Sequence, residues 1–343
     1  MIAFVLSGGG NRAAIQVGAL QVLFEHGIYP DMLVGTSAGA INAAYLAPDP
    51  CRERLDELAQ LWRKVTKDDV YPGNRLRVLW RLLTRKESVY PNDRWQRFLE
   101  RHIEVRRFAE IKAVKLYIVA AELDSGAMRL FGQNGEESVL DALMASTALP
   151  PLHPPWRLGE ERCIDGGTVA NLPVRVAVEK GAKVIYALHA VNPLPPASQL
   201  RDLFNIANQA VGTLLRQQLV SDLERTALHH GVELHHIQLT PPLQPAFWDF
   251  SHATELIEAG RQAAEAYLAA YGSPRPGVHQ RIGDFLARMG TGSLRKSKEW
   301  ITGFFTENHQ DLLFRTAGSS HFSRSEAAEA ATTNAFRREQ EGG

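Results

Sequence analysis

Cysteine is nearly missing from this chain. Cys51 and Cys163 are the only two, too few for a disulfide framework and matching no metal-ligand spacing, so a reducing compartment is the default and no metal is expected. Long apolar runs are missing as well: nothing approaches the roughly 18 residues of a membrane-spanning helix. The opening Met1-Ile2-Ala3-Phe4-Val5-Leu6 is apolar, but it has no basic leader and passes at once into glycines where a cleavage site would be needed, so no signal peptide is expected. Net charge is absent too. With 38 basic against 38 acidic residues, whole-chain electrostatics give no sign of a nucleic-acid partner. No internal repeat is visible. What remains is a 343-residue chain with room for one large domain or two ordinary ones, expected in the cytoplasm.

Secondary-structure signals are strongest at the start. Ile2 to Leu6 is an unbroken apolar run ending in Ser7-Gly8-Gly9-Gly10, as a buried parallel strand meeting a glycine loop would read. Ala14, Val17, Leu20, Val22, Leu23 and Phe24 recur at helical spacing until Gly27, and Met32-Leu33-Val34 is a second strand. Strand, loop, helix, strand and helix within 47 residues predict βαβ units and a mostly parallel sheet with helices on its faces, an α/β fold. From Pro48 to about Phe108 the pattern is helical. Leu76, Leu79, Trp80 and Leu83 share one face there, with Arg77, Arg81 and Arg85 on the other. Packing on the sheet is the favoured expectation for that apolar face, ahead of a membrane-facing cap. Val114–Ala121 is expected as a strand pairing with Met128–Phe131, Leu140–Ala148 as a short helix, and Pro154 to Gly159 as a loop before Cys163-Ile164-Asp165. Val174–Glu179 is expected helical, Lys183–Leu188 and Glu233–Leu239 as strands, and Ser251 as the cap of a long helix closed by Gly272. Residues 1–275 are then one domain. Residues 276–343 are an extension, basic and amphipathic over Arg281–Phe305 and disordered beyond.

Chemistry concentrates in three loops. Gly35-Thr36-Ser37-Ala38-Gly39 is G-x-S-x-G between a strand and a helix, the context of a nucleophile elbow that exposes the Ser37 hydroxyl at a helix N-terminus. A serine that only caps the helix is the alternative. Gly8-Gly9-Gly10-Asn11-Arg12-Ala13 formally satisfies the dinucleotide fingerprint, yet the acidic residue it needs after the second strand is replaced by Gly35-Thr36-Ser37. A Walker A loop is excluded because no Gly-Lys-Ser/Thr follows. Adjacent parallel strands instead bring both glycine turns to one sheet edge, where the N–H groups of Gly9 and Gly10 would face whatever Ser37 attacks, as an oxyanion hole. For the base, none of the twelve histidines has a distinctive context. Asp165, ahead of Gly166 and Gly167, is a carboxylate at a loop tip that can approach another segment closely.

These three motifs, in this order, resemble the patatin-like phospholipases. That family has a glycine-rich oxyanion loop after the first strand, here Ser7 to Arg12, G-x-S-x-G after the second, and Asp-Gly-Gly downstream. Ala145-Ser146-Thr147-Ala148-Leu149-Pro150 and Asn171-Leu172-Pro173 match its flanks, and the likeness covers residues 3 to 190, more loosely to 272. One departure is Ala13, where the family commonly has glycine. The resemblance implies a three-layer α/β/α sandwich and a Ser37–Asp165 dyad working through an acyl-enzyme without a cofactor. It also implies Gly8, Gly9, Gly10, Asn11 and Arg12 around the oxyanion, with Arg12 steadying charge, orienting lipid phosphate or bracing the loop. The implied substrate is a phospholipid or other lipid ester, met at a peripheral membrane surface on the inner face. A broad esterase or triacylglycerol lipase, or an idle lipid-binding protein on the same fold, are the alternatives.

Overall fold

The computed structural model describes residues 1–191 and 203–271. The expected stop at Gly272, the basic and apolar stretch Arg281–Phe305 and the rest of the extension lie outside the described residues. In chain order the elements are β1 (Ile2–Leu6), α1 (Ala14–Glu25) after a 3-10 turn at Gly10–Ala13, β2 (Met32–Thr36), α2 (Ala38–Leu46), α3 (Arg52–Lys64), α4 (Lys67–Val70), α5 (Arg75–Leu83) and α6 (Asp93–His102). They continue through β3 (Lys115–Glu122), β4 (Met128–Phe131), α7 (Val139–Ser146), β5 (Trp156–Leu158), β6 (Glu161–Asp165), α8 (Gly167–Ala170) and α9 (Val174–Glu179). The last are β7 (Val184–Ala190), α10 (Leu203–Ala227), β8 (Glu233–Leu239) and α11 (Ala253–Tyr271).

Apolar runs without alternation become strands buried on both faces. Successive hydrogen-bonded strands run β5-β6-β3-β2-β1-β7-β8, with β4 also on β3. The five from β3 to β8 are mutually parallel. Phe4, Leu6, Leu33, Tyr186 and Leu188 point into one core beneath α1, α2, α3 and α11, while Ala3, Val5, Met32, Val34, Ile185 and Ala187 point into a second beneath α9 and α10. The result is the three-layer α/β/α arrangement with a mostly parallel sheet.

The pairing of β3 explains how distant loops meet. Ile118 pairs with both Gly35 and Phe131, and Ala120 with both Arg129 and Asp165. A strand has two edges, so β4 occupies one and β2 and β6 share the other, end to end. Thr36 opposite Val119 is therefore followed, one step on, by Asp165 opposite Ala120. Where β2 turns away at Ser37, the end of β6 takes its place.

Three expectations need correction. The apolar stripe of α5 does not pack on the sheet: Leu76, Leu79, Trp80 and Leu83 are 75%, 53%, 55% and 74% exposed. Ser251 does not cap α11, which begins at Ala253; its hydroxyl and N–H both donate to Asp249 Oδ1, a local turn that satisfies the serine before the helix starts. The loop expected from Pro154 to Gly159 contains β5, a three-residue edge strand hairpinned to β6. Helix α10, over a stretch without any assignment from the sequence, covers the second core through Leu219 and Leu223.

Candidate active site

Ser37 has an unusual backbone geometry. Its φ of 53° and ψ of −126° lie where a side chain is strained, and it is one of two non-glycine residues with positive φ among those described. The flanking glycines serve a different need. A Cβ at Gly35 would lie 2.6 Å from Ala40 Cα, and one at Gly39 would lie 2.5 Å from the carbonyl oxygens of Leu6 and Ser7. They let α2 fold back tightly against β2 and β1, so that the serine between them bears the strain. The Ser37 N–H donates to Ser146 Oγ at 2.8 Å, and that hydroxyl donates to Val119 O at 2.6 Å. Thr36 Oγ1 donates to Ala170 O at 2.8 Å, tying the elbow to the segment after Asp165.

The Ser37 hydroxyl donates to Asp165 Oδ2 at 2.6 Å across 128 residues of sequence. Asp165 Oδ1 accepts the Gly167 N–H at 2.7 Å, and the Asp165 N–H donates to Ala148 O at 2.9 Å. Gly166 is required by contact: a Cβ there would lie 2.2 Å from Val119 O. Asp165 is 3% exposed. Burial pushes its carboxyl up to about 6, against the opposing pull of the Ser37 and Gly167 hydrogen bonds.

The glycine loop lies beside this pair because β1 and β2 are in register through Leu6 opposite Gly35. Gly8 is not an oxyanion donor, contrary to expectation, since its N–H is donated to Asn171 O at 3.0 Å. Its role is closeness: a Cβ at Gly8 would stand 3.2 Å from Ser37 Cβ and 2.6 Å from Asn171 Oδ1. The N–H groups of Gly9 and Gly10 make no hydrogen bond among the described residues. The side chain of Asn11 also has another task, donating to Ala246 O at 2.8 Å and Asp249 O at 2.6 Å. Arg12 turns back on the loop, with Nε donating to Gly9 O at 3.4 Å, and burial pulls its guanidinium below the ordinary arginine range. Beneath the loop runs a buried polar network. Gln16 Nε2 donates to Ser7 O and Leu188 O, Asn42 Nδ2 to Gln16 Oε1 and Ala13 O, and Trp62 Nε1 to Asn42 Oδ1.

Sequence reading did not foresee this network, nor the roles of Ser146 and Asn171. The only signal for these two was their place in motif-like flanks. Replacing Ser146 with alanine removes the hydroxyl that bridges the Ser37 N–H and Val119 O, so Ser146→Ala is expected to lower stability by about 1–3 kcal/mol, several degrees in a thermal melt. An unchanged melting temperature would show that the bridge is dispensable.

An aromatic cluster neighbours the site. Tyr71 lies 5.3 Å from Tyr90, 5.3 Å from His153, 5.2 Å from Phe247 and 6.3 Å from Phe250, ring centre to ring centre. Burial raises the Tyr71 hydroxyl above its usual range, with the negative charge of Asp165 adding to the effect.

Comparison with known proteins agrees with this architecture. The model of the patatin-like phospholipases matches residues 4–178. Patatin-like phospholipase domain-containing protein 6 of Mus musculus is 28% identical over 188 residues, 54% of this chain and 13% of that protein. Lysophospholipase NTE1 of Candida albicans is 25% identical over 321 residues, covering 86% of this chain and 22% of the relative. This chain thus spans only a small part of those two relatives. The uncharacterized protein YqhO of Bacillus subtilis is 27% identical over 288 residues, 77% of this chain and 97% of its own length. With the family model covering half of the sequence, the chain belongs to the patatin-like phospholipase family.

Proposed function

We propose that this protein is a serine lipid acyl hydrolase of the phospholipase A or lysophospholipase type, with Ser37 as nucleophile and Asp165 as general base. The observation that carries the reading is the 2.6 Å hydrogen bond from Ser37 Oγ to a buried carboxylate, made at a strained elbow. Ser37 Oγ attacks the ester carbonyl as Asp165 takes its proton. The N–H groups of Gly9 and Gly10, at the start of the turn into α1, bind the oxyanion. Collapse expels the alcohol, which leaves with the proton from Asp165, and water then repeats the sequence on the acyl-enzyme. An ordinary aspartate, near 3.9, is a weak base for an alcohol. Raising it to about 6 narrows that gap, and preorganised oxyanion donors supply the larger share, roughly 3–4 kcal/mol for a single donor.

The lipid assignment draws on the family and on the names of the relatives, phospholipase and lysophospholipase. The catalytic unit is read as residues 1–275, which accords with one compact body over Met1–Ser273. Reaction with a fluorophosphonate probe, followed by fatty-acid release from a panel of phospholipids, lysophospholipids and short esters, tests the proposal. No labelling of Ser37 would overturn it. Release from short esters alone would favour a broad esterase.

The base also sets a pH dependence. Asp165 accepts a proton only when ionised, so kcat/KM on a soluble ester is expected to fall about tenfold per pH unit below an apparent pKa near 6. A profile flat down to pH 4 would remove Asp165 from the role of base.

A further inference from the structure

Helix α5 is a folded element whose apolar face has nothing to cover it among the described residues. Its C-terminus is closed by a defined cap. Arg85 takes a left-handed φ of 50°, and the Lys86 N–H donates to Arg81 O at 3.0 Å, the geometry of a Schellman stop. The Arg81 guanidinium is spent on Ser88, through Nε to O at 2.9 Å and Nη2 to Oγ at 3.0 Å. The excursion that carries α5 leaves and rejoins the body at Tyr71 and Tyr90, whose rings touch. Val89 and Tyr90 are then held by backbone bonds to Pro151 O and Leu152 O. Tyr71 is close enough to feel the charge of Asp165, and its ring also meets Phe247, itself 40% exposed beside Trp248 at 46%. An amphipathic helix, apolar side outward, thus stands on a stem whose Tyr71 neighbours the candidate site.

Charge says what the face fits. Between Tyr71 and Tyr90 the chain carries Arg75, Arg77, Arg81, Arg85 and Lys86 against Glu87 alone. Just beyond the stem, Arg94, Arg97 and Arg101 line a 270 Å³ cavity with Asp69 and Phe98. Four exposed large apolar side chains on a segment whose sequence carries an excess of cations match the interface of a bilayer bearing anionic lipid: hydrocarbon below, phosphate alongside. Among the described residues no helix is long and apolar enough to cross a membrane.

We infer that α5 is the element by which this protein docks on anionic bilayers, with Leu76, Leu79, Trp80 and Leu83 entering the acyl boundary and the neighbouring cations meeting lipid phosphate. Docking there brings the stem, and Tyr71 beside Asp165, toward the lipid surface. The inference rests on the reading that the substrate is a membrane lipid, and it names the part of the chain that reaches it.

The test uses the full chain and phosphatidylcholine vesicles with and without phosphatidylglycerol, at low and high salt. The variant Leu76→Ser, Leu79→Ser, Trp80→Ser, Leu83→Ser changes only exposed positions. It is expected to bind phosphatidylglycerol vesicles at least about tenfold more weakly while labelling with fluorophosphonate and cleaving a soluble ester at parental rates. Should it fail to fold, Arg85→Gly with Lys86→Gln tests the electrostatic half, since glycine suits the left-handed position. Each charge removed is expected to cost about fivefold at low salt, with the difference closing at high salt. Parental binding by either folded variant would overturn the inference, as would equal parental binding to vesicles without phosphatidylglycerol. So would a parent that ignores vesicles, whether it forms a dimer that the four serines dissolve or cross-links α5 to residues 272–343. A parent that binds through α5 but never reacts with fluorophosphonate would leave the docking intact and refute the hydrolase.

Discussion

Ser37→Ala is expected to abolish ester hydrolysis, by about 10³-fold or more, while the protein keeps its fold. The elbow hydroxyl combines partial exposure, a hydrogen bond to a buried base and a backbone held out of its preferred conformation. Alanine at this position keeps the same positive φ and the same N–H bond to Ser146, so the elbow has no reason to rearrange. What is lost is the nucleophile, and with it the covalent intermediate. Water held by the glycine loop would support only the residual catalysis that binding and oxyanion contacts provide. The measurement is fatty-acid release together with intact mass after fluorophosphonate treatment, where the parent gains one adduct and the variant none. Retention of even a tenth of the activity would sink the assignment.

Much of this architecture was legible in the sequence, and the parts that were not share a physical cause. Parallel strands buried on both faces must be unbroken apolar runs, so β1 and β2 announce themselves. Gly35, Gly39 and Gly166 are forced by backbone atoms less than 3 Å from any Cβ, so the motifs are visible as glycines. Asp165, in contrast, reaches Ser37 because β2 and β6 lie end to end on one edge of β3. No local pattern encodes that arrangement: the Asp-Gly-Gly turn marked Asp165 as a carboxylate able to approach another segment, and the family resemblance supplied its partner. Ser146, Gln16 and Asn42 were missed because a buried hydrogen-bonding side chain reads as an ordinary polar residue. The stripe on α5 was read correctly and placed wrongly. Periodicity tells that a face is apolar, and it is silent on whether protein or something else lies against it. Helix α10 has no clean stripe at all, with Ile206 and Leu214 exposed on a helix that also feeds the second core.

Asp165→Asn should be nearly as inactive as the serine variant, and it should be more stable than the parent at neutral pH. The loss follows because an amide cannot take the Ser37 proton. The gain follows from the direction of the pKa shift. Burial raises the folded-state value to about 6, above the unfolded value near 3.9, so the folded protein binds more protons than the unfolded chain between those limits. Stability on this account falls as pH rises through that window, and above it the ionised carboxylate weighs against the fold by an amount on the order of 1–3 kcal/mol. Asparagine is isosteric, keeps an oxygen for the Gly167 N–H and has no charge to desolvate. Its melting temperature is therefore expected to exceed that of the parent at pH 8, with the two converging at pH 4. Histidine variants supply the contrast. Among the described residues no histidine hydrogen-bonds with Ser37 or Asp165. His153 is held by Val70 O, His235 by Glu233, and His189 and His236 by each other. No single His→Ala change should cost as much as 10³ in kcat. A folded histidine variant with that loss would replace the dyad by a triad, and an Asp165→Asn protein that kept its activity would leave the serine in need of a different base.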